Sequence, residues 1–171
     1  MWGKRMEMKI KGNIFRFGDD INTDYIISSK NKSKILDRKE LAQHLMEDIR
    51  PGFAAEISPG DVIVAGENFG CGSSRETAPI VMKEAGIAAV VAKSFARIFY
   101  RNCINIGLPL VICDTSQMKE GQELEIDLEE GVVQVMGSPE KVKIAPYPEQ
   151  VKELMEAGGM LPWLRAKGAI Q

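Results

Sequence analysis

The sequence predicts a single α/β domain that mixes parallel and antiparallel strands, and three observations lead there. Short apolar runs at 61–65, 87–92 and 109–113 are separated by helical segments, which is the pattern of two successive βαβ units with parallel strands and right-handed crossovers. Two further stretches, 124–128 and 132–136, flank Glu129-Glu130-Gly131 and read as an antiparallel hairpin. A chain of 171 residues, 44% of them apolar, can bury a core without disulfide or metal staples.

Taken in order, residues 8–16 partly alternate and predict a strand with a turn in it. Gly18-Asp19-Asp20-Ile21-Asn22-Thr23-Asp24 is a polar loop, followed by the short apolar stretch Tyr25-Ile26-Ile27. Residues 28–34 read as a basic, mobile loop. Asp37 and Glu40 have capping-box spacing and open a helix to about residue 47. Pro51-Gly52 and Pro59-Gly60 punctuate the chain before the strand at 61–65. A glycine-rich turn spans 66–72, and Ser73 or Ser74 caps a helix running to Gly86. After the strand at 87–92, Ser94 caps a helix at 95–105 that Gly107 closes. Pro148 and Gly158-Gly159 frame a last helix. The domain is assigned to 8–171, with 1–7 as a disordered lead.

Composition removes several function classes. Net charge is −2 with both signs intermixed, which asks for neither nucleic acid nor a membrane surface. No apolar run approaches the roughly 20 residues of a membrane span, and charges interrupt the start where a signal peptide is apolar, so a cytoplasmic location is expected. Cys71, Cys103 and Cys113 lack paired spacing and indicate neither a disulfide framework nor a zinc ribbon. Cys103 and Cys113 lie among apolar residues and read as small buried hydrophobes, leaving Cys71 as the accessible thiol. His44 is the single histidine, so no multi-histidine metal site is expected, and it reads as a helix-face residue.

The chemistry concentrates in Gly70-Cys71-Gly72-Ser73-Ser74-Arg75-Glu76. Ligands of open α/β sheets bind where strands lead into helices, as this turn does. Gly70 and Gly72 allow close backbone approach, Ser73 and Ser74 bring hydroxyls, and Arg75 brings a planar fork suited to a carboxylate. The dinucleotide fingerprint fails because Arg75 stands where the third glycine belongs, and no lysine follows as in a P-loop. The nucleophile elbow fails too, for want of a glycine after the serine. From these residues alone, an anion cradle and a purely structural turn with a solvated arginine both stay open. A reactive Ser73 would need a base beside it, and the only histidine is His44. Its alkoxide would therefore depend on Arg75 and backbone N–H groups, with the rest of the machinery on another chain.

Three segments carry a resemblance. They are Gly18-Asp19-Asp20-Ile21-Asn22-Thr23-Asp24-Tyr25-Ile26-Ile27, the stretch from Gly60 to Glu76, and Ala92-Lys93-Ser94-Phe95-Ala96-Arg97-Ile98-Phe99-Tyr100-Arg101-Asn102. In order and spacing they resemble the small subunits of 3-isopropylmalate dehydratase, in the aconitase superfamily, with homoaconitase small subunits close behind. The resemblance covers about 8–165. It implies a swivelling β/β/α three-layer domain, like the last domain of aconitase. It implies a large partner subunit carrying a 4Fe-4S cluster with one iron open to the substrate, in a heterodimer or heterotetramer, and a small di- or tricarboxylate substrate. The activity implied is a hydro-lyase of leucine synthesis, isomerising 2-isopropylmalate to 3-isopropylmalate.

Carried over to this chain, Ser73 matches the catalytic base, Ser74 and Arg75 match carboxylate-binding positions beside Gly72, and Arg97 and Arg101 are structural or interfacial. The chain departs from the family at Ser28, Ser29, Lys30, Lys32 and Lys34, where relatives often carry a Tyr-Leu-containing specificity loop. Two readings stay open there: lysines that meet a distal carboxylate of a homoaconitase-like or other acidic substrate, or a solvated basic loop. Citraconate and dimethylmalate hydro-lyases are related alternatives for the activity. A rival of another class, a stand-alone carboxylate-binding module, predicts ligand binding without any partner.

Overall fold

Alternation along the apolar runs explains how the sheet is buried on both faces. The computed structural model describes residues 8–171; the expected disordered lead at 1–7 lies outside them. In β2 (Val62–Val64) all residues are buried, because Val62 and Val64 join one core while Ile63 joins the other. β3 (Ala89–Ala92) and β4 (Leu110–Ile112) divide their side chains in the same way.

β1 (Lys9–Arg16) is central and unbroken, where the sequence suggested a turn. Its first half pairs antiparallel with β5 (Glu123–Asp127) through Asn13, and its second half pairs parallel with β2 from Ile14 onward. The irregular alternation thus marks a change of neighbour, not a change of direction. β5 continues antiparallel into β6 (Val132–Val135), and then β7 (Lys141–Lys143), so the predicted hairpin is present with one further edge strand. The order across the seven strands is β4-β3-β2-β1-β5-β6-β7, parallel on one side of β1 and antiparallel on the other.

The sheet curls so that Leu124, Ile126 and Val133 of its antiparallel half share a core with Val62, Val64, Ala89 and Val91. α7 (Glu149–Ala157) adds Leu154 and Met155 to it. Helices cover the other face. α3 (Arg38–Ala42), α4 (Phe53–Glu56), α5 (Thr77–Glu84) and α6 (Arg97–Asn105) place Leu41, Phe53, Met82 and Phe99 against Ile63, Val90 and Leu110. The expected β/β/α layering follows from these two cores. α8 (Met160–Ala166), a helix the sequence did not suggest, packs on α7 and α6. Among the described residues no helix is long and apolar enough to cross a membrane.

Four helix expectations need correction. Residues 28–34 are not a loop: α2 (Ser29–Lys34) forms there, and the Ser28 hydroxyl caps it by accepting from the Asn31 N–H at 3.2 Å. The helix expected through residue 47 ends at Ala42; Met46 adopts a φ of 57° and gives its N–H to the Ile26 carbonyl at 3.0 Å. Asp37 does cap it, accepting from the Glu40 N–H at 2.9 Å. α5 starts at Thr77, not at Ser73 or Ser74. Pro79 explains this, since a helix begun at Ser73 would need a Pro79 N–H to bond the Arg75 carbonyl. α6 likewise starts at Arg97 without a side-chain cap, because Ser94 is engaged elsewhere.

Candidate active site

The turn from β2 to α5 is strapped down from two sides. On one side runs the polar loop ahead of α1 (Thr23–Ile26). The Gly70 N–H donates to the Ile21 carbonyl at 2.8 Å and the Thr23 N–H to the Cys71 carbonyl at 2.9 Å. The Thr23 hydroxyl, on a residue only 1% exposed, donates to the Ser73 carbonyl at 2.7 Å. On the other side stands the entry to α6. There the Asn68 N–H donates to the Ser94 hydroxyl at 2.7 Å, and the Ala96 N–H to the Phe69 carbonyl at 2.9 Å. Phe69 is fully buried, its ring set edge-on to Phe95 and Phe99 at 6.1 and 5.5 Å.

Gly70 and Gly72 are needed for two reasons. Their φ values are 82° and 88°, which side chains rarely adopt. A Cβ would also stand 2.1 Å from the Phe99 ring at Gly70 and 2.5 Å from the Asn22 amide at Gly72.

This strapping leaves Gly72, Ser73 and Ser74 exposed, while the Arg75 side chain retains 14% exposure. All four line a cleft of about 290 Å³ with Thr23, Arg97 and Phe99. The structure therefore gathers the predicted residues Gly72, Ser73, Ser74 and Arg75 in one place. It does not gather Lys30, Lys32 and Lys34, which are exposed on α2 and outside the cleft lining. The N-terminus of α5 lies outside this cluster, because its free N–H groups begin beyond Arg75.

Arg75 is partly committed. Its Nη2 donates to the Ser29 hydroxyl at 2.7 Å and pairs with Asp24 Oδ1 at 2.5 Å. Its Nη1 is buried without a hydrogen-bond partner among the described residues. A buried donor left unpaired costs about 1–3 kcal/mol, so this nitrogen has the chemistry to accept a ligand oxygen as partner. Sequence reasoning missed Thr23 and Asp24 as site-building residues, and Arg97, read there as structural or interfacial, lines the cleft. Their only sequence signal was membership of the quoted segments; contacts between a short helix and a turn 50 positions away leave no local trace.

Other titratable groups stand apart. His44 Nδ1 meets Glu47 Oε2 at 2.7 Å, and this bond holds the Glu47 carboxyl below its usual range. Burial pushes the Cys71 thiol up, with the Asp20 charge adding to it. Cys103 and Cys113 are buried on opposite faces of the sheet, and burial, helped by Asp114, pushes Cys113 up to about 11. These thiols do not converge as cluster ligands, and among the described residues no three His, Cys, Asp or Glu side chains gather around a metal-sized space.

Residues 17–115, which hold this whole site, match the model of the aconitase C-terminal domain. A curated relative, the 3-isopropylmalate dehydratase small subunit 2 of Archaeoglobus fulgidus, is 46% identical over 96% of this chain and 99% of its own. The chain belongs to the 3-isopropylmalate dehydratase small subunit family. Another member, the isopropylmalate/citramalate isomerase small subunit of Methanocaldococcus jannaschii, is 46% identical over 96% of this chain and 98% of its own. A crystal structure of 3-isopropylmalate dehydratase from the same organism superposes with a TM-score of 0.90 at 45% identity, covering 95% of this chain and 97% of that one. Family membership and fold thus agree with the resemblance carried by the three segments.

Proposed function

We propose that this chain is the small subunit of a hydro-lyase that isomerises 2-isopropylmalate to 3-isopropylmalate by dehydration and rehydration, working with a large subunit. The observation that carries the site assignment is an exposed Ser73 sharing a cleft with a buried, half-committed Arg75. In this reading Ser73 takes the proton from the carbon beside a carboxylate as the hydroxyl leaves the neighbouring carbon as water. On rehydration the proton returns to that neighbouring carbon and the hydroxyl adds to the first. Arg75 holds a substrate carboxylate through Nη1, and Ser74 and Gly72 complete the contact. Fixed donors aimed at the developing negative charge are what such a weakly acidic C–H requires. The 4Fe-4S cluster that the family implies belongs, in this reading, to the large subunit, consistent with the scattered cysteines of this chain.

A second reading concerns only the substrate. The exposed Lys30, Lys32 and Lys34 of α2 favour a related malate with a further carboxylate, such as homocitrate. Citraconate and dimethylmalate are the other candidates. The test is co-expression with the large subunit, anaerobic reconstitution, and ultraviolet detection of the unsaturated intermediate on each substrate in turn. Ser73→Ala should lower turnover by roughly 10²–10⁴-fold, the range of a lost general base, while assembly persists. Full activity in that variant would refute the assigned base.

A further inference from the structure

We propose that Ser29 is a positioning residue that ties the lie of α2 to the orientation of the Arg75 guanidinium. This rests on the reading of Arg75 as the carboxylate clamp. Three segments meet at one nitrogen: Arg75 from the glycine turn, Asp24 from α1, and Ser29 as the first residue of α2. Nη2 donates to Ser29 Oγ at 2.7 Å and to Asp24 Oδ1 at 2.5 Å, and the Ser29 hydroxyl lies 3.4 Å from that same carboxylate oxygen.

A guanidinium is planar, so two acceptors on one nitrogen fix the plane and thereby the direction of the other. The other is Nη1, the buried atom left without a partner. Asp24 alone supplies the opposing charge. Ser29 adds a second anchor without cancelling more of the positive charge that a carboxylate ligand needs.

α2 buries none of its residues, so packing does little to place it. Its polar ties to the rest of the chain are few: the Asn31 amide donates to Glu47 at 3.1 Å, and Ser29 meets Arg75 and Asp24. A shift of α2 therefore reaches Arg75 directly through Ser29. Lys30, Lys32 and Lys34 ride on the same six-residue helix. A substrate group that draws on those lysines would alter the clamp for the opposite end of the substrate, making Ser29 a determinant of specificity without itself touching substrate.

Two measurements test this. The first needs no catalysis: the full chain is treated with phenylglyoxal and arginine modification is followed by peptide mass spectrometry. Ser29→Ala should speed modification of Arg75 roughly three- to tenfold, the span set by one hydrogen bond of ordinary net strength. Ser29→Thr, which keeps the hydroxyl, should restore the slow rate, with the exposed Arg97 and Arg101 unchanged as internal references. Equal Arg75 rates in Ser29→Ala and the unaltered chain would overturn the proposal.

The second measurement uses the reconstituted heteromer. Ser29→Ala should raise KM several-fold with kcat little changed, because a loosened clamp weakens ground-state and transition-state binding alike. A lowered melting temperature with KM unmoved would mean Ser29 is only structural and would also overturn the proposal. If the unaltered heteromer fails to turn over isopropylmalate, the functional reading falls, and Arg75 modification still decides the role of Ser29.

Discussion

Arg75 shows how much a single residue's setting adds to its type. An arginine after Gly-Ser-Ser can be a solvated charge or a clamp, and its sequence position does not distinguish them. The structure shows that it is no solvated charge, with Nη2 held by Asp24 and Ser29 and Nη1 buried without a partner among the described residues, and this supports the clamp proposed above. The thiols make the same point in reverse. Cys71 is partly accessible, yet burial and the Asp20 charge raise its pKa, so little thiolate forms near neutrality. Iodoacetamide at pH 8 should therefore label native Cys71 slowly, and Cys103 and Cys113 more slowly still. Mass spectrometry of the labelled chain checks this, and rapid labelling of Cys113 would contradict its burial.

At the scale of elements, the glycine turn is the most demanding structure. Gly70→Ala imposes a strained φ and drives a methyl into Phe99, so a loss of at least about 2 kcal/mol is expected by denaturant titration. The β5–β6 hairpin makes a pH-dependent case. Asp127 accepts from the Glu130 N–H at 2.8 Å and the Glu129 N–H at 3.0 Å and pairs with Lys9 at 3.4 Å, which lowers its pKa. A depressed folded-state pKa contributes stability above the unfolded value of about 3.9 and loses it as pH falls through the folded value. The stability gap between the unaltered chain and Asp127→Asn should thus be full at pH 6 and close as pH falls below about 4. A gap independent of pH would contradict the assignment.

Elements whose burial is written into local pattern were legible. The run at 61–65 read as a short buried strand and Glu129-Glu130-Gly131 as the turn of a hairpin, and both are present. α2 was not legible, because Ser-Lys-Asn-Lys-Ser-Lys has no apolar stripe and its helix depends on the Ser28 cap. β7 hides for a similar reason, since an edge strand with lysines on both ends of Val142 carries little alternation. The start of α5 was legible in principle, through the missing N–H of Pro79.

For the whole molecule, the layout explains why the site is open. One curled sheet with two cores consumes the apolar side chains of both faces, and the strapped turn is displayed at the ends of its parallel strands. What it displays is a cleft lined by Ser73, Ser74 and Arg75, which under the proposed function is the part of the reaction centre that this chain supplies. In the sequence the Gly-Cys-Gly-Ser-Ser-Arg segment left an anion cradle and a structural turn both open, while its lack of a partner base was legible from the single histidine; the structure adds that His44 is paired with Glu47. The most direct test compares the purified chain alone with the heteromer formed with its large subunit, both reconstituted anaerobically and assayed on isopropylmalate. The expected result is no turnover by the chain alone and turnover by the heteromer that Ser73→Ala removes. Turnover by the isolated chain, or a heteromer inert on every substituted malate offered, would contradict the account.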